Sequence, residues 1–367
     1  MPENNYFSMV YDRIGVIGAG GWGTALACVA AKAGRSVVLW AREPDVADSI
    51  IRSGVNARFL PGVALPQSIR PTSEVGDAAN ADALLIAAPA QHLRETLSLL
   101  APFVADDLPL VLCAKGIEGA SGLLLTEVLA ETLPRAQIAI LSGPSFARDV
   151  ANELPTAVTI AARMDIAKRL QASLGHGQFR PYVSDDVIAV ALGGAAKNVY
   201  AIGCGVADGL GLGESARAAL LARSFAELIR LGAAVGGRPE TFMGLSGLGD
   251  LVLSATSPSS RNFAFGQKLG QGETLHVLLA PGMPLVEGVA TARPLVARAT
   301  TWRGNADRYD DFGGSGWRHV TGFCARPTHE PTPWTGTQID IPDPASATLR
   351  SLLAGKELSS CSSSSPP

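Results

Sequence analysis

Apolar positions in the first half of the chain fall into short β-branched runs separated by stretches with helical spacing. Ile14 to Ile17 is one such run, breaking into glycines; Thr24 to Ala33 then reads as a helix and Ser36 to Trp40 as a second strand, a βαβ opening. Further runs at Ala83 to Ala88, Leu110 to Ala114, Ile138 to Ser142 and Ala157 to Ala161 alternate with helical stretches such as Gln91 to Leu100 and Leu123 to Leu133. That alternation predicts an α/β domain with a mostly parallel, doubly wound sheet. From about Asp185 the apolar stretches become long and Ala-rich and lose strand-like alternation, as in VIAVALGGAAKNVYAIGCGVADG. An all-α second domain is expected there. The boundary is placed near Val183, giving domains over 1–183 and 184–292.

A second break is read near Arg293. Beyond it the chain is dense in Gly, Pro, Thr and Arg, lacks sustained helical periodicity and ends in a Ser/Pro tract. Residues 293–367 are expected to be an atypical tail, disordered or loosely packed, with a composition that also suits a stretch translated in a shifted reading frame. Composition narrows the rest. With 47% hydrophobic and 17% charged residues the 367-residue chain can bury a large core, and a net charge of -3 leaves no basic excess for a nucleic-acid backbone. The cysteines have no CxxC spacing and the histidines do not cluster, so neither a metal site nor a disulfide framework is expected. No apolar leader opens the chain, and its hydrophobic runs are read as broken before membrane-spanning length. The expectation is a cytoplasmic protein without a membrane span.

The strongest chemical signal is Gly18-Ala19-Gly20-Gly21-Trp22-Gly23, because this GxGxxG follows a strand and opens a helix. Gly18 permits the tight turn, Gly20 lets the backbone approach a pyrophosphate, and Gly23 allows close helix-to-strand packing. The segment, with Gly21 and Trp22, is the candidate dinucleotide cradle. Roughly 20 residues on, where NAD-selective sites place an acid, stands Arg42. Its guanidinium suits a 2'-phosphate, whereas Glu43 or Asp45 could serve a ribose hydroxyl. NADPH and NADH are both candidates.

Several ordered signatures resemble the bacterial NAD(P)-dependent glycerol-3-phosphate dehydrogenase family: GAGGWGTALA, LWAR, NARFLPG, AKGIE, SGPSFA, LPTAV, GGAAKNVYAIGCGVADG, SGLGDLVLSATSPSSRNFAFG and VEGVATA. They span about Ile14 to Ala292. The resemblance implies a Rossmann-type domain joined to an α-helical one, with the active site between them. It also implies dihydroxyacetone phosphate and sn-glycerol 3-phosphate as reactants, a role in glycerophospholipid synthesis, and a homodimer. Lys197 would be the general acid and base; within its apolar stretch its ammonium is expected to be desolvated and its pKa lowered. Taken without the family, it is a snorkelling lysine at a helix edge. Asp250 would meet the substrate or orient Lys197, with a helix cap as the plain alternative. Ser260, Arg261 and Asn262 would hold the substrate phosphate, and Arg261 would also approach the coenzyme; alone, SPSSRN is a polar turn.

Lys115 would touch both substrate and coenzyme, Gly143 and Ser145 the substrate, and Ala147, Leu285 and Glu287 the coenzyme. A GVEMPI-like stretch that completes the family's C-terminal domain is not found. Two other readings stay open. One is a related reductase of the ketopantoate or 3-hydroxyisobutyrate type, against which the phosphate-suited triplet argues. The other is a non-catalytic NADPH-binding protein disabled by its altered C-terminus.

Overall fold

The computed structural model describes residues 10–304. Its first domain runs Arg13–Ile17 (β1), Gly21–Lys32 (α1), Ser36–Trp40 (β2), Pro44–Ser53 (α2), Ile69–Thr72 (β3), Val75–Ala79 (α3), Ala83–Ile86 (β4), Leu93–Leu100 (α4) and Pro109–Leu112 (β5). It continues through Leu125–Thr132 (α5), Gln137–Ser142 (β6), Ala147–Ala151 (α6), Thr156–Ala162 (β7), Met164–Leu174 (α7) and Phe179–Ser184 (β8). The strands form one sheet in the order β3-β2-β1-β4-β5-β6-β7-β8, parallel throughout except at the β6/β7 pairing. The inner strands are apolar on both faces because helices cover both. Ile14 and Val16 pack into one core layer and Ile17 into the other, and Leu85 and its neighbours Leu84 and Ile86 divide in the same way.

The second domain comprises Val187–Gly209 (α8), Gly213–Ala234 (α9), Pro239–Phe242 (α10), Asp250–Thr256 (α11), Arg261–Gly270 (α12), Leu275–Leu278 (α13) and Glu287–Gly304 (α14). Asp186 caps α8, its carboxylate accepting from Ala189 N at 3.0 Å and from Arg238 N at 2.8 Å. Helix α8 is long and apolar enough to cross a membrane by length and composition, although the sequence counted its run as broken. Its packing shows what it is instead: most of its surface lies against β6, α9, α11, α12 and α14, so it is the central core helix.

Small residues let α8 and α12 approach backbone to backbone. A Cβ on Gly205 would lie 2.1 Å from Phe263 O, and one on Gly266 would lie 2.1 Å from Ile202 O. Gly205→Ala gains about 1 kcal/mol of helix propensity but forces the helices apart, a strain of about 1–3 kcal/mol. The expected result is a lower Tm in thermal unfolding; an unchanged or higher Tm would contradict this contact.

The sequence break at Arg293 falls inside α14. Ala292, Leu295 and Ala299 are buried on one face of that helix, and Arg298 donates to Gly122 O at 2.9 Å and pairs with Glu127 of the first domain. The segment set apart as a tail therefore begins as helix, and its remainder, 305–367, lies outside the described residues.

Candidate active site

The glycine-rich turn has the form that a dinucleotide requires. Gly18 adopts φ +112, and a Cβ on Gly23 would sit 1.9 Å from Gly18 O, so α1 can lie this close to β1 only with glycine there. Gly20 caps α1 without any side-chain hydrogen bond, and the space where its Cβ would point is open. The first N–H groups of α1 thus face a clear approach for phosphate oxygens. Trp22 also braces the cradle, its indole N–H donating to Cys113 O at 3.1 Å. Arg42 follows β2, exposed, with Glu43 accepting from its guanidinium at 3.0 Å. These residues fit a nicotinamide dinucleotide.

Where the carboxyl ends of β5 and β6 meet the helical domain, two lysines share one carboxylate. Lys115, just past β5, donates to Asp250 Oδ2 at 2.5 Å and to Gly143 O at 3.1 Å. Lys197, in the middle of α8, donates to Asp250 Oδ1 at 3.0 Å and to Ser254 Oγ at 2.7 Å. The glycines of GGAAKN make room for this. A Cβ on Gly193 would meet Ser246 O at 2.8 Å and one on Gly194 would meet Ser142 Oγ at 3.0 Å, so α8 settles onto both the π-type turn Leu245–Gly249 and the end of β6.

Lys197 is only 8% exposed, which rules out a snorkelling lysine. Burial drives its pKa down to about 8, with Lys115 and Arg261 pushing the same way and Asp250 opposing. Burial alone would raise Asp250, but its two ammonium neighbours hold it below the ordinary carboxylate range. Asp250 is the first residue of α11 rather than its cap, which is Gly249.

The Ser260-Arg261-Asn262 triplet forms the start of α12, beside this cluster. Ser260 caps the helix, accepting from Phe263 N at 3.3 Å. Arg261 is exposed at the first helical position, and its charge is felt at both Lys197 and Glu287. Asn262 is already engaged: its amide donates to Asn198 Oδ1 at 2.9 Å and accepts from Gly288 N at 3.0 Å, tying α8, α12 and α14 together. Glu287 opens α14 and accepts from Ala90 N at 3.2 Å. Burial raises its pKa, and among the described residues its second oxygen and Thr291 Oγ1 have no hydrogen-bond partner. Ser145 lies on the SGPSFA turn, its hydroxyl donating to Gly143 O at 3.0 Å, with Ala147 opening α6 behind it. Leu285 is 46% exposed ahead of α14 and makes no part of the lysine cluster.

Sequence reasoning missed Ser254, Asn198 and Thr291. Ser254 was detectable, because it stands one helical turn after Asp250 and so shares its face. A hollow of about 900 Å³ bounded by Tyr11, Asp82, Asp107, Gln137 and Arg163 opens at the amino ends of the central strands β1, β4, β5 and β6. Ligands of open parallel sheets sit at the carboxyl ends of the strands, so this hollow is not the candidate site.

Residues 13–167 match the family described as NAD-dependent glycerol-3-phosphate dehydrogenase N-terminus, and residues 186–305 match its C-terminus. The chain belongs to this family. The second match runs through α14, beyond Ala292, where the sequence signatures stop. An NAD(P)+ glycerol-3-phosphate dehydrogenase of Parvibaculum lavamentivorans is 54% identical, the alignment covering 80% of this chain and 88% of the relative. A crystal structure of glycerol-3-phosphate dehydrogenase from Coxiella burnetii superposes with a TM-score of 0.75 at 37% identity, covering 80% of this chain and 90% of that one. A ketopantoate reductase from Ralstonia eutropha shares 14% identity at a TM-score of 0.52, over 93% of this chain and 97% of its own, a likeness of fold alone.

Proposed function

We propose that this chain reduces dihydroxyacetone phosphate to sn-glycerol 3-phosphate with NADPH or NADH, supplying the backbone of glycerophospholipids. The observation that carries the reading is the buried Lys197, held by Asp250 and Ser254 beside the phosphate-suited start of α12. Gly18, Gly20, Gly21, Trp22, Gly23, Arg42, Lys115, Ala147, Arg261, Leu285 and Glu287 would hold the nicotinamide coenzyme, which when bound would supply the hydride for the carbonyl carbon. Lys197 holds the proton for the carbonyl oxygen and takes it back in the reverse direction. A pKa lowered to about 8 lets it serve both directions near neutral pH. Asp250 keeps both lysines in place, while Lys115, Gly143 and Ser145 bound the polar end of the substrate. Ser260, Arg261 and Asn262 receive the phosphate, with Arg261, which makes no ion pair among the described residues, as the cation among them.

The adjacency of Lys197 and Asp250, suited to proton transfer, to Arg261, suited to a phosphate, supports catalysis over nucleotide binding alone. The chain is further proposed to work as a homodimer in the cytoplasm, a setting in which its buried, unpaired Cys28, Cys113 and Cys204 stay reduced. The test is oxidation of NADPH or NADH on addition of dihydroxyacetone phosphate. In Arg261→Ala the KM for dihydroxyacetone phosphate is expected to rise about 10- to 100-fold, the worth of one charge-assisted contact. An unphosphorylated ketone turned over as well as dihydroxyacetone phosphate would sink the substrate assignment.

A further inference from the structure

The loop after α2 brings a second guanidinium to the corner where the coenzyme ribose is expected. Asn56 is buried and clips this loop to the glycine-rich turn: its amide donates to Ala19 O and to Thr24 Oγ1, both at 2.8 Å, and accepts from Phe59 N at 3.1 Å. Phe59 O lies over Gly21, 2.8 Å from where a Cβ would be. From this anchored loop Arg58 reaches back to the first turn of α2, with Nη1 at 3.8 Å from Asp45 Oδ2 and its guanidinium 5.1 Å from the centre of the Phe59 ring. Arg42 flanks the same turn from the end of β2, its fork turned onto Glu43.

We propose that Arg58 is the partner of Arg42 in binding the 2'-phosphate of NADPH, and that Glu43 and Asp45 hold the two arginines when that phosphate is absent. This rests on the coenzyme reading given under Proposed function. The charges support it. Two arginines facing two carboxylates balance without a ligand, so NADH meets a neutral corner in which an acid can accept from its ribose hydroxyl. A 2'-phosphate brings strong acceptor oxygens and negative charge, and each guanidinium can present paired donors to it. Both ion pairs are exposed, and exposed pairs hold weakly, so exchanging a carboxylate for a phosphate costs little. The anchored loop keeps the second guanidinium at hand, which makes one corner serve both coenzymes.

The test is calorimetric titration of the full chain with NADPH, NADH, 2',5'-ADP and 5'-AMP, for the wild type, Arg58→Ala and Asp45→Asn. Arg58→Ala is expected to weaken NADPH and 2',5'-ADP about tenfold more than their unphosphorylated counterparts. Asp45→Asn, which frees Arg58, is expected to shift the preference about two- to threefold toward the phosphorylated nucleotides. Equal losses for phosphorylated and unphosphorylated nucleotides in Arg58→Ala, or no loss at all, would overturn the proposal and leave the coenzyme reading standing. Failure of the wild type to bind any of the four would overturn both.

Discussion

Lys197→Ala is expected to lower kcat for dihydroxyacetone phosphate reduction by about 10²- to 10⁴-fold, the range of a lost general acid. The effect belongs to kcat rather than to KM, because the proton moves only as the carbonyl oxygen gains charge. The wild-type pH profile carries a second signature. Reduction needs the ammonium, so its rate falls as pH rises through about 8, and glycerol-3-phosphate oxidation, which needs the neutral amine, rises over the same interval. Steady-state rates in both directions from pH 6 to 10 check this. Parallel limbs in the two directions would remove Lys197 from the proton-transfer role.

Asp250→Asn is expected to damage stability and activity together. Its carboxylate is the shared counterion of two lysines in a site from which water is nearly excluded, with Asp250 itself 1% exposed. Removing one member of a buried ion cluster costs about 3–5 kcal/mol, a large share of the roughly 5–15 kcal/mol that holds a folded protein together. Urea unfolding measures the loss. Asp250 also pulls the Lys197 pKa upward, so in the variant the alkaline limb of reduction moves to lower pH. A stability effect without that movement would mean that Asp250 supports the fold but does not tune Lys197.

The same carboxylate gives stability a pH dependence with a defined sign. Its folded pKa lies below the unfolded value near 3.8, so its contribution is present above about pH 4 and is lost as pH falls through the folded pKa.

Much of the first domain was readable from local pattern. The strands β1, β2, β4, β5, β6 and β7 coincide with β-branched or apolar runs, since strands buried on both faces must be apolar throughout. The two sheet-edge strands were missed. IRPT and FRPYVS each carry an arginine and a proline, which an edge strand tolerates because one side of its hydrogen-bonding ladder is unpaired. The break at Arg293 failed for a related reason. Pro294 and the exposed Arg293 interrupt the local pattern of α14, yet Leu295 and Ala299 keep a buried face that only packing on α8 and α9 reveals.

By itself the sequence determined the alternating α/β order, the glycine turn and its place between strand and helix, and the residue types available for proton transfer and phosphate binding. Those are local properties, set by periodicity and by what a backbone without Cβ atoms can do. Only the tertiary structure decided that Lys115, Lys197 and Asp250 meet, that Ser254 supports Lys197, that Asn198 holds Asn262, and that Arg58 faces Asp45. Residues 115, 197 and 250 come together because glycines admit α8 between two domains, and burial there changes what a lysine can do. A lysine's spacing from its neighbours in the chain carries no record of how much water it will keep.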